Sequence, residues 1–327
     1  MTGTLTSPAP SRMRAAVADP VVIAALVAIG IVAVGQLVSP GFAAWGQVIG
    51  MIRVASFLGI MAIGQTIVIL SGGDGIDLSV GKVATFGAIV GAHLMNGHNQ
   101  NLVLGILVSV LVGGLIGLLN GLGIFFLRIP PFVMTLGMMG VVAGAALAYT
   151  GGAAGGRSAP ALTSLVNGRG LLQIPGVVLV WLLLVATVTW LLRRSVPGWN
   201  IFAIGSNREA AELSGVPVRR TVISAYVASG AFAALGGVLL LGYTESVFLN
   251  LADSYTLPTI AAVIIGGTLA AGGVGGYLGT AVGAVVLTLL TSLLSTMNMP
   301  DAWRTITRGV VILVLLGLYG RQKNLRT

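Results

Sequence analysis

The sequence predicts an all-α integral membrane protein, a polytopic bundle of about ten transmembrane helices with a short cytoplasmic helix. Three observations predict it. Of the 327 residues, 56% are hydrophobic and 8% are charged, whereas a soluble domain carries roughly a quarter charged residues. Too few polar side chains remain to cover a water-facing surface, so lipid is the solvent for most of the chain. Apolar stretches of membrane-spanning length recur at regular spacing. The 49 glycines follow no Gly-X-Y period, which leaves close helix packing in a membrane as their use, because Gly lets backbones approach.

The elements follow in order. Residues 1–20 are polar and small, with Arg12 and Arg14, and read as a cytoplasmic N-terminal tail. The uncharged run 21–38 is long for a signal-peptide core and is followed by no small-x-small cleavage site, so it reads as a retained first span. A spanning helix needs about 20 mostly apolar residues. Further spans are expected at 52–70, 78–95, 102–127, 132–149, 171–192, 221–248, 257–271, 277–295 and 306–319. The third and eighth are short or interrupted by Gly, as broken or partial spans would be. The transmembrane domain thus covers 21–320, and 321–327 form a cytoplasmic C-terminal tail.

Charge sets the direction. With the N-terminus inside, the inner segments hold Arg12, Arg14, Lys82, Arg128, Arg193, Arg194, Arg208, Arg219, Arg220, Arg321, Lys323 and Arg326, 12 of the 17 cations. The outer segments hold Arg157, Arg169, Arg304 and Arg308, and Arg53 starts the second span. Positive loops stay inside, so both termini are expected in the cytoplasm, as an even number of spans requires. The net charge of +9 is scattered over these connectors and forms no basic patch with aromatic partners, which argues against nucleic acid. Glycines at 113, 117 and 121, and at 275, 279 and 283, recur every fourth residue. With the pairs Gly87/Gly91 and Gly140/Gly144 they are expected to form smooth packing faces.

Enzyme chemistry finds no foothold. There is no cysteine, hence no disulfide, thiolate metal site or cysteine nucleophile. Residues 75–83, GIDLSVGKV, resemble a phosphate loop, but the spacing has one residue too many and Val83 stands where a Ser or Thr would hold magnesium. The GGVGG run at 272–276 misses the dinucleotide pattern, since Leu278 occupies the place of the last Gly. His93 and His98 lie near a loop without clustered carboxylates. No catalytic residue, metal or cofactor is expected.

The inner connector 193–220 is the most informative polar stretch. Asn207 can cap a helix, Glu209 suits its positive end, Ala210, Ala211, Glu212 and Leu213 are good helix formers, and Gly215 is a natural stop. A short cytoplasmic helix is predicted over 207–215, with a docking role and an incidental helical connector both open.

The E-A-A-x-x-x-G spacing of Glu209, Ala210, Ala211 and Gly215 resembles the coupling loop of bacterial ABC importer permeases, and the wider segment resembles the ribose-type sugar permease family. Residues 75–81 (GIDLSVG) are similar to that family's most distinctive motif. Residues 118–136 (LLNGLGIFFLRIPPFVMTL), 260–273 (IAAVIIGGTLAAGG) and 277–313 resemble further blocks in the same order. The chain departs at Asp74, an extra acidic residue before the motif, at Thr259, where the family usually has an acidic residue, and at Leu269 and Ala270, in place of a polar residue. These departures bear on the substrate.

The resemblance implies a bacterial inner-membrane permease subunit, usually present in two copies, for a monosaccharide or related polyol. It also implies a separate ATPase pair on the cytoplasmic side and a binding protein outside. Asn207, Glu209, Ala210, Ala211 and Gly215 would couple to the ATPase. Arg193, Arg194, Arg219 and Arg220 would anchor the bundle at the inner surface or touch the ATPase. The few polar residues at membrane depth, Gln65, Asp77, Ser79, Asn120, Thr135 and Thr268, are the pathway candidates, because such groups are costly in lipid. Asp77 has a second reading as a cap of the following helix. The outer stretch 151–170, with Glu245, Asp253 and Asp301, is either a docking face for the binding protein or simple loop. A self-sufficient secondary transporter would need several deep carboxylates or a broken-helix pair. A branched-chain amino-acid permease would differ in substrate alone.

Overall fold

The computed structural model describes residues 19–310, apart from 169, 171, 172, 301 and 308. Its α-helices are α1 (Pro20–Val38), α2 (Trp45–Leu70), α3 (Val80–Met95), α4 (Leu102–Phe126), α5 (Pro131–Thr150), α6 (Pro160–Asn167), α7 (Gly176–Arg194), α8 (Val196–Ser206), α9 (Arg208–Leu213), α10 (Val218–Thr244), α11 (Thr256–Ile265) and α12 (Tyr277–Thr296). Starts and stops follow local chemistry. Pro opens α1, α5 and α6, where its missing N–H costs nothing. Asn96 and Gly151, both left-handed, close α3 and α5.

Seven of these helices are long and apolar enough to cross a membrane: α1, α2, α4 with its preceding turn, α5, α7, α10 and α12. The two spans expected to be partial are short: α3, and α11, which stops at Gly266 and Gly267. Most of the expected tenth span, nearly all of both tails, Asp301 and the outer cations Arg169 and Arg308 lie outside the described residues.

The long helix α10 is the centre. α4, α2 and α3 pack around it through small residues. A Cβ on Gly113, Gly117 or Gly121 would run into the backbone of Gly230, Tyr226 or Ile223 of α10. Gly87 of α3 meets Ala234, and Gly237 meets Ala84. Gly279 and Gly283 of α12 lie on Gly266 and on Ala262 of α11 in the same way. The predicted glycine faces are therefore packing faces, with two corrections. Gly275 lies before α12, with φ +134°, and a Cβ there would strike Thr268. Among the described residues nothing lies within 4 Å of a Cβ on Gly140 or Gly144, because α5 buries its opposite face of Thr135, Met138, Val142 and Ala146.

The outer ring shows its apolar side chains. Leu37, Leu111 and Leu183 are exposed, as lipid-facing residues are. Inside, Tyr277 of α12 donates to the Gly59 carbonyl of α2 at 2.9 Å and accepts from Trp181 Nε1 of α7 at 2.9 Å. Three helices are thus pinned by one hydroxyl, fully satisfied as most buried polar groups are.

Lys82 departs from the charge count. The charge count puts it on the inner side, and Asp253 on an outer connector. Their Nζ and Oδ2 atoms are 2.7 Å apart, so the two residues share one level.

Candidate functional site

The inner connector folds into two helices. α9 is the predicted one. Asn207 Oδ1 accepts from the Ala210 N–H at 3.0 Å, Glu209 lies in the first turn, and Gly215, with φ +82°, ends the turn that follows. Glu209, Ala210 and Glu212 are exposed, Ala211 turns inward, and Leu213 is 85% exposed. An apolar tip on a charged turn is a surface suited to a partner's groove. α8 was not anticipated, although its start is written in the chain: the Ser195 hydroxyl accepts from the Gly198 N–H at 3.2 Å, and Pro197 sits in the first turn.

α9 is joined to the membrane helices by backbone. Gly205, at the end of α8, lies against the Leu70 carbonyl and Gly273, with no room for a Cβ. Gly72, just after α2, lies against Gly205, and Gly272 lies against Gly72. The Gly273 N–H donates to the Leu70 carbonyl at 3.0 Å. The GGVGG run, useless for a dinucleotide, here lets three connectors touch. Beside this junction a cleft of about 460 Å³ opens, lined by Ser71, Arg128, Pro131, Arg208, Glu212 and Tyr226 among others. Arg208 stacks on Phe125 at 5.9 Å and Arg219 on Phe126 at 5.7 Å, holding the α9 and α10 starts to the end of α4.

The six pathway candidates are all buried, at most 2% exposed. Four form one network. Asp77 Oδ1 accepts from the Ser79 N–H at 2.9 Å and from the Ser79 hydroxyl at 2.6 Å. Its Oδ2 accepts from the Ser229 hydroxyl at 2.6 Å. Asn120 Nδ2 donates to Ser79 Oγ at 3.1 Å. The Thr135 hydroxyl accepts from the Leu78 N–H at 3.1 Å and reaches the Pro131 carbonyl at 2.9 Å. Asp77 lies two residues ahead of the α3 cap position and bonds Ser79 itself, so it forms a turn and a cross-link to α10 and does not cap α3. The GIDLSVG segment is thereby fastened to α4, α5 and α10.

Gln65 and Thr268 stand apart. Among the described residues neither polar atom of the Gln65 side chain has a hydrogen-bond partner, and Thr268 Oγ1 accepts from the Gly276 N–H at 3.3 Å. Ser229 and Tyr226 were missed by sequence reasoning. One Ser and one Tyr inside an apolar span carry no motif, and only the fold brings them to Asp77 and to the cleft.

The profile of the family described as "Branched-chain amino acid transport system / permease component" matches residues 47–316. The chain belongs to this permease family. It is 33% identical over 304 residues to the ribose import permease of Bacillus subtilis (strain 168), covering 90% of each chain. It is 32% identical over 295 residues to the ribose import permease of Escherichia coli (strain K12), covering 89% of this chain and 90% of that one. It is 34% identical over 284 residues to the autoinducer 2 import system permease of Enterobacter sp. (strain 638), covering 86% and 81%. No solved structure matches.

As an ABC permease, the protein is a multi-pass component of a bacterial inner membrane, and such components work with an ATPase and a binding protein. The departures noted in the sequence fall in three places, with Leu269 and Ala270 in the turn that the Gly272 N–H closes on the Leu269 carbonyl at 2.9 Å. Asp74 is exposed with φ +54°, next to the glycine junction. Thr259 is buried, its hydroxyl donating to the Thr256 carbonyl at 2.7 Å inside α11. An acidic side chain there would be a buried charge, so in this permease the position serves packing.

Proposed function

We propose that this permease forms the path for a monosaccharide or related polyol in a binding-protein-dependent importer and has no catalytic activity of its own. Both termini lie in the cytoplasm, and two copies together enclose the path. The similarity to two ribose import permeases over nine-tenths of the chain supports this reading more than any other single observation. In it, α9 sits in a groove of the ATPase, with Leu213 buried there and Asn207, Glu209, Ala210, Ala211 and Gly215 fixing its shape. Closure of the ATPase pair moves α9, and the glycine junction passes that motion to α2 and to the connector before α12. A short capped helix suits this task, because a lever must not absorb the displacement. Arg219 is satisfied by Phe126, which favours anchoring over ATPase contact for that residue.

The family's descriptive name offers branched-chain amino acids as a second substrate class. The short helices α3 and α11 are a feature shared with secondary transporters, but the family match argues for the ATP-driven class. The test is reconstitution in liposomes with the ATPase and the binding protein. D-Ribose uptake that requires ATP and both partners is expected. Glu209→Lys and Gly215→Asp should each reduce ATPase co-purification and uptake at least tenfold. Uptake by the permease alone on an ion gradient overturns the importer reading. Leucine uptake in place of ribose overturns the sugar class, and intact assembly and uptake in both variants overturn the coupling role.

A further inference from the structure

Two short helices begin side by side within the bundle. The Gly81 N–H of α3 donates to Thr256 Oγ1 of α11 at 3.2 Å. From there α3 runs toward Gly97, whose N–H donates to the Arg157 carbonyl at 3.2 Å. α11 runs the other way, to Gly266 against Gly279, with Gly267 beside Pro20. The Ser158 N–H donates to the Glu245 carbonyl at 3.0 Å, which holds Glu245 near the far end of α3. Eight residues later the chain has descended to place Asp253 beside Lys82. Helix α3 rises about 20 Å from Lys82 to its end, more than half of a hydrocarbon core about 30 Å thick. The ion pair therefore lies well inside the membrane thickness.

The chemistry there is unlike a packing contact. The Lys82 and Asp253 side chains are 21% and 35% exposed. Charges at this depth face a water-filled path or a partner, because facing lipid is costly. Asn250, with its amide turned so that Nδ2 points to Asp253, donates to Oδ2 at 3.2 Å, while Asp253 Oδ1 is buried and has no hydrogen-bond partner among the described residues. One helical turn from Lys82, on the same face, stands the half-buried Phe86, its ring edge-to-face with Tyr149 at 6.1 Å. His93, two turns further, meets the same Tyr149 at 5.5 Å. A polar point followed by an aromatic strip is the lining that selects a neutral, hydroxyl-rich solute: a few placed hydrogen-bonding groups on an apolar wall.

We infer that the solute path runs along the Lys82–Phe86 face of α3, and that Lys82, Asp253 and Asn250 are its hydrogen-bonding point for the hydroxyls of a neutral polyol. This inference rests on the permease reading above and names the wall the solute passes.

The native chain has no cysteine, so single cysteines read accessibility directly. In the assembled importer in membranes, Phe86→Cys should react with a water-soluble, positively charged methanethiosulfonate at least tenfold faster than the lipid-facing control Leu111→Cys. Equal, slow labelling overturns the path. This comparison needs no transport, so it stands or falls apart from the importer reading. In the transport assay, Lys82→Met and Asp253→Asn should each lower D-ribose moved per ATP hydrolysed about tenfold. The thermal midpoint of Asp253→Asn should stay within a few degrees of the parent. Full recovery in the charge-swapped pair Lys82→Asp with Asp253→Lys makes the ion pair a strut and overturns the solute contact, as does unchanged coupling in both single variants.

Discussion

The hydroxyl of Ser229 on α10 donates to the carboxylate of Asp77 at 2.6 Å, closing 152 residues of chain with one hydrogen bond. The other oxygen of Asp77 is taken by Ser79, so a single carboxylate both shapes the turn entering α3 and fastens it to the central helix. Bonds to a buried carboxylate are among the stronger ones a protein makes. Their loss is felt twice, since the hydroxyls left behind are buried too.

Asp77→Ala is therefore expected to lower stability by about 3 kcal/mol, read as a fall in the thermal midpoint of the purified permease in detergent. Ser229→Ala should cost about 2 kcal/mol, because Asp77 Oδ2 loses its partner while Oδ1 keeps its two bonds from Ser79. Equal midpoints for Ser229→Ala and the parent would show that the cross-link contributes nothing.

Glycine pairs at α4 and α5 make opposite predictions. Gly117 touches the Tyr226 carbonyl, whereas Gly140 faces open space. Gly117→Leu should cost about 3 kcal/mol or more and abolish the monodisperse peak in size-exclusion chromatography. Gly140→Leu should leave the single chain folded. Comparable yields for the two variants would contradict the packing described for α4 on α10.

Gly205→Val should separate the motor from the path. The added side chain meets Leu70 and Gly273 but lies outside α9, so the ATPase should still co-purify while uptake per ATP falls at least tenfold. Loss of ATPase binding together with uptake would instead make Gly205 part of the docking surface.

Ser206 and Ala161 are both exposed and lie on opposite sides of the proposed topology. In intact cells, Ala161→Cys should be labelled by an impermeant maleimide and Ser206→Cys should require permeabilisation. Labelling of Ser206→Cys from outside reverses the proposed orientation.

Much of this architecture was legible because it rests on local signals. Apolar length marked the spans, Asn207 and Gly215 marked both ends of α9, and the fourfold glycine spacing marked the α4 face that meets α10. Other features were not legible, for two reasons. Gly140 and Gly144 share the spacing of the packing glycines, and only the fold decides which face of α5 is used. Lys82 and Asp253 were assigned to opposite membrane faces, because charge counting treats each connector as lying at a surface. The chain between Glu245 and Asp253 dips inward, and no local signal announces such a descent. The start of α8 was readable at Ser195 and Pro197, but lay in a stretch already assigned to a connector.

Helix α1 buries only Ala24 and Gly35, leaves Leu37 86% exposed, and precedes the stretch that the family profile matches. Among the described residues it packs on the flank of α12, on the bend at Phe42 and, through Pro20, on Gly267. Substitutions along its outer surface should change its contacts with the bilayer and leave its packing on α12 in place. A reporter dye at Leu37 would thus record the thickness and fluidity of the surrounding lipid while the importer cycles beside it.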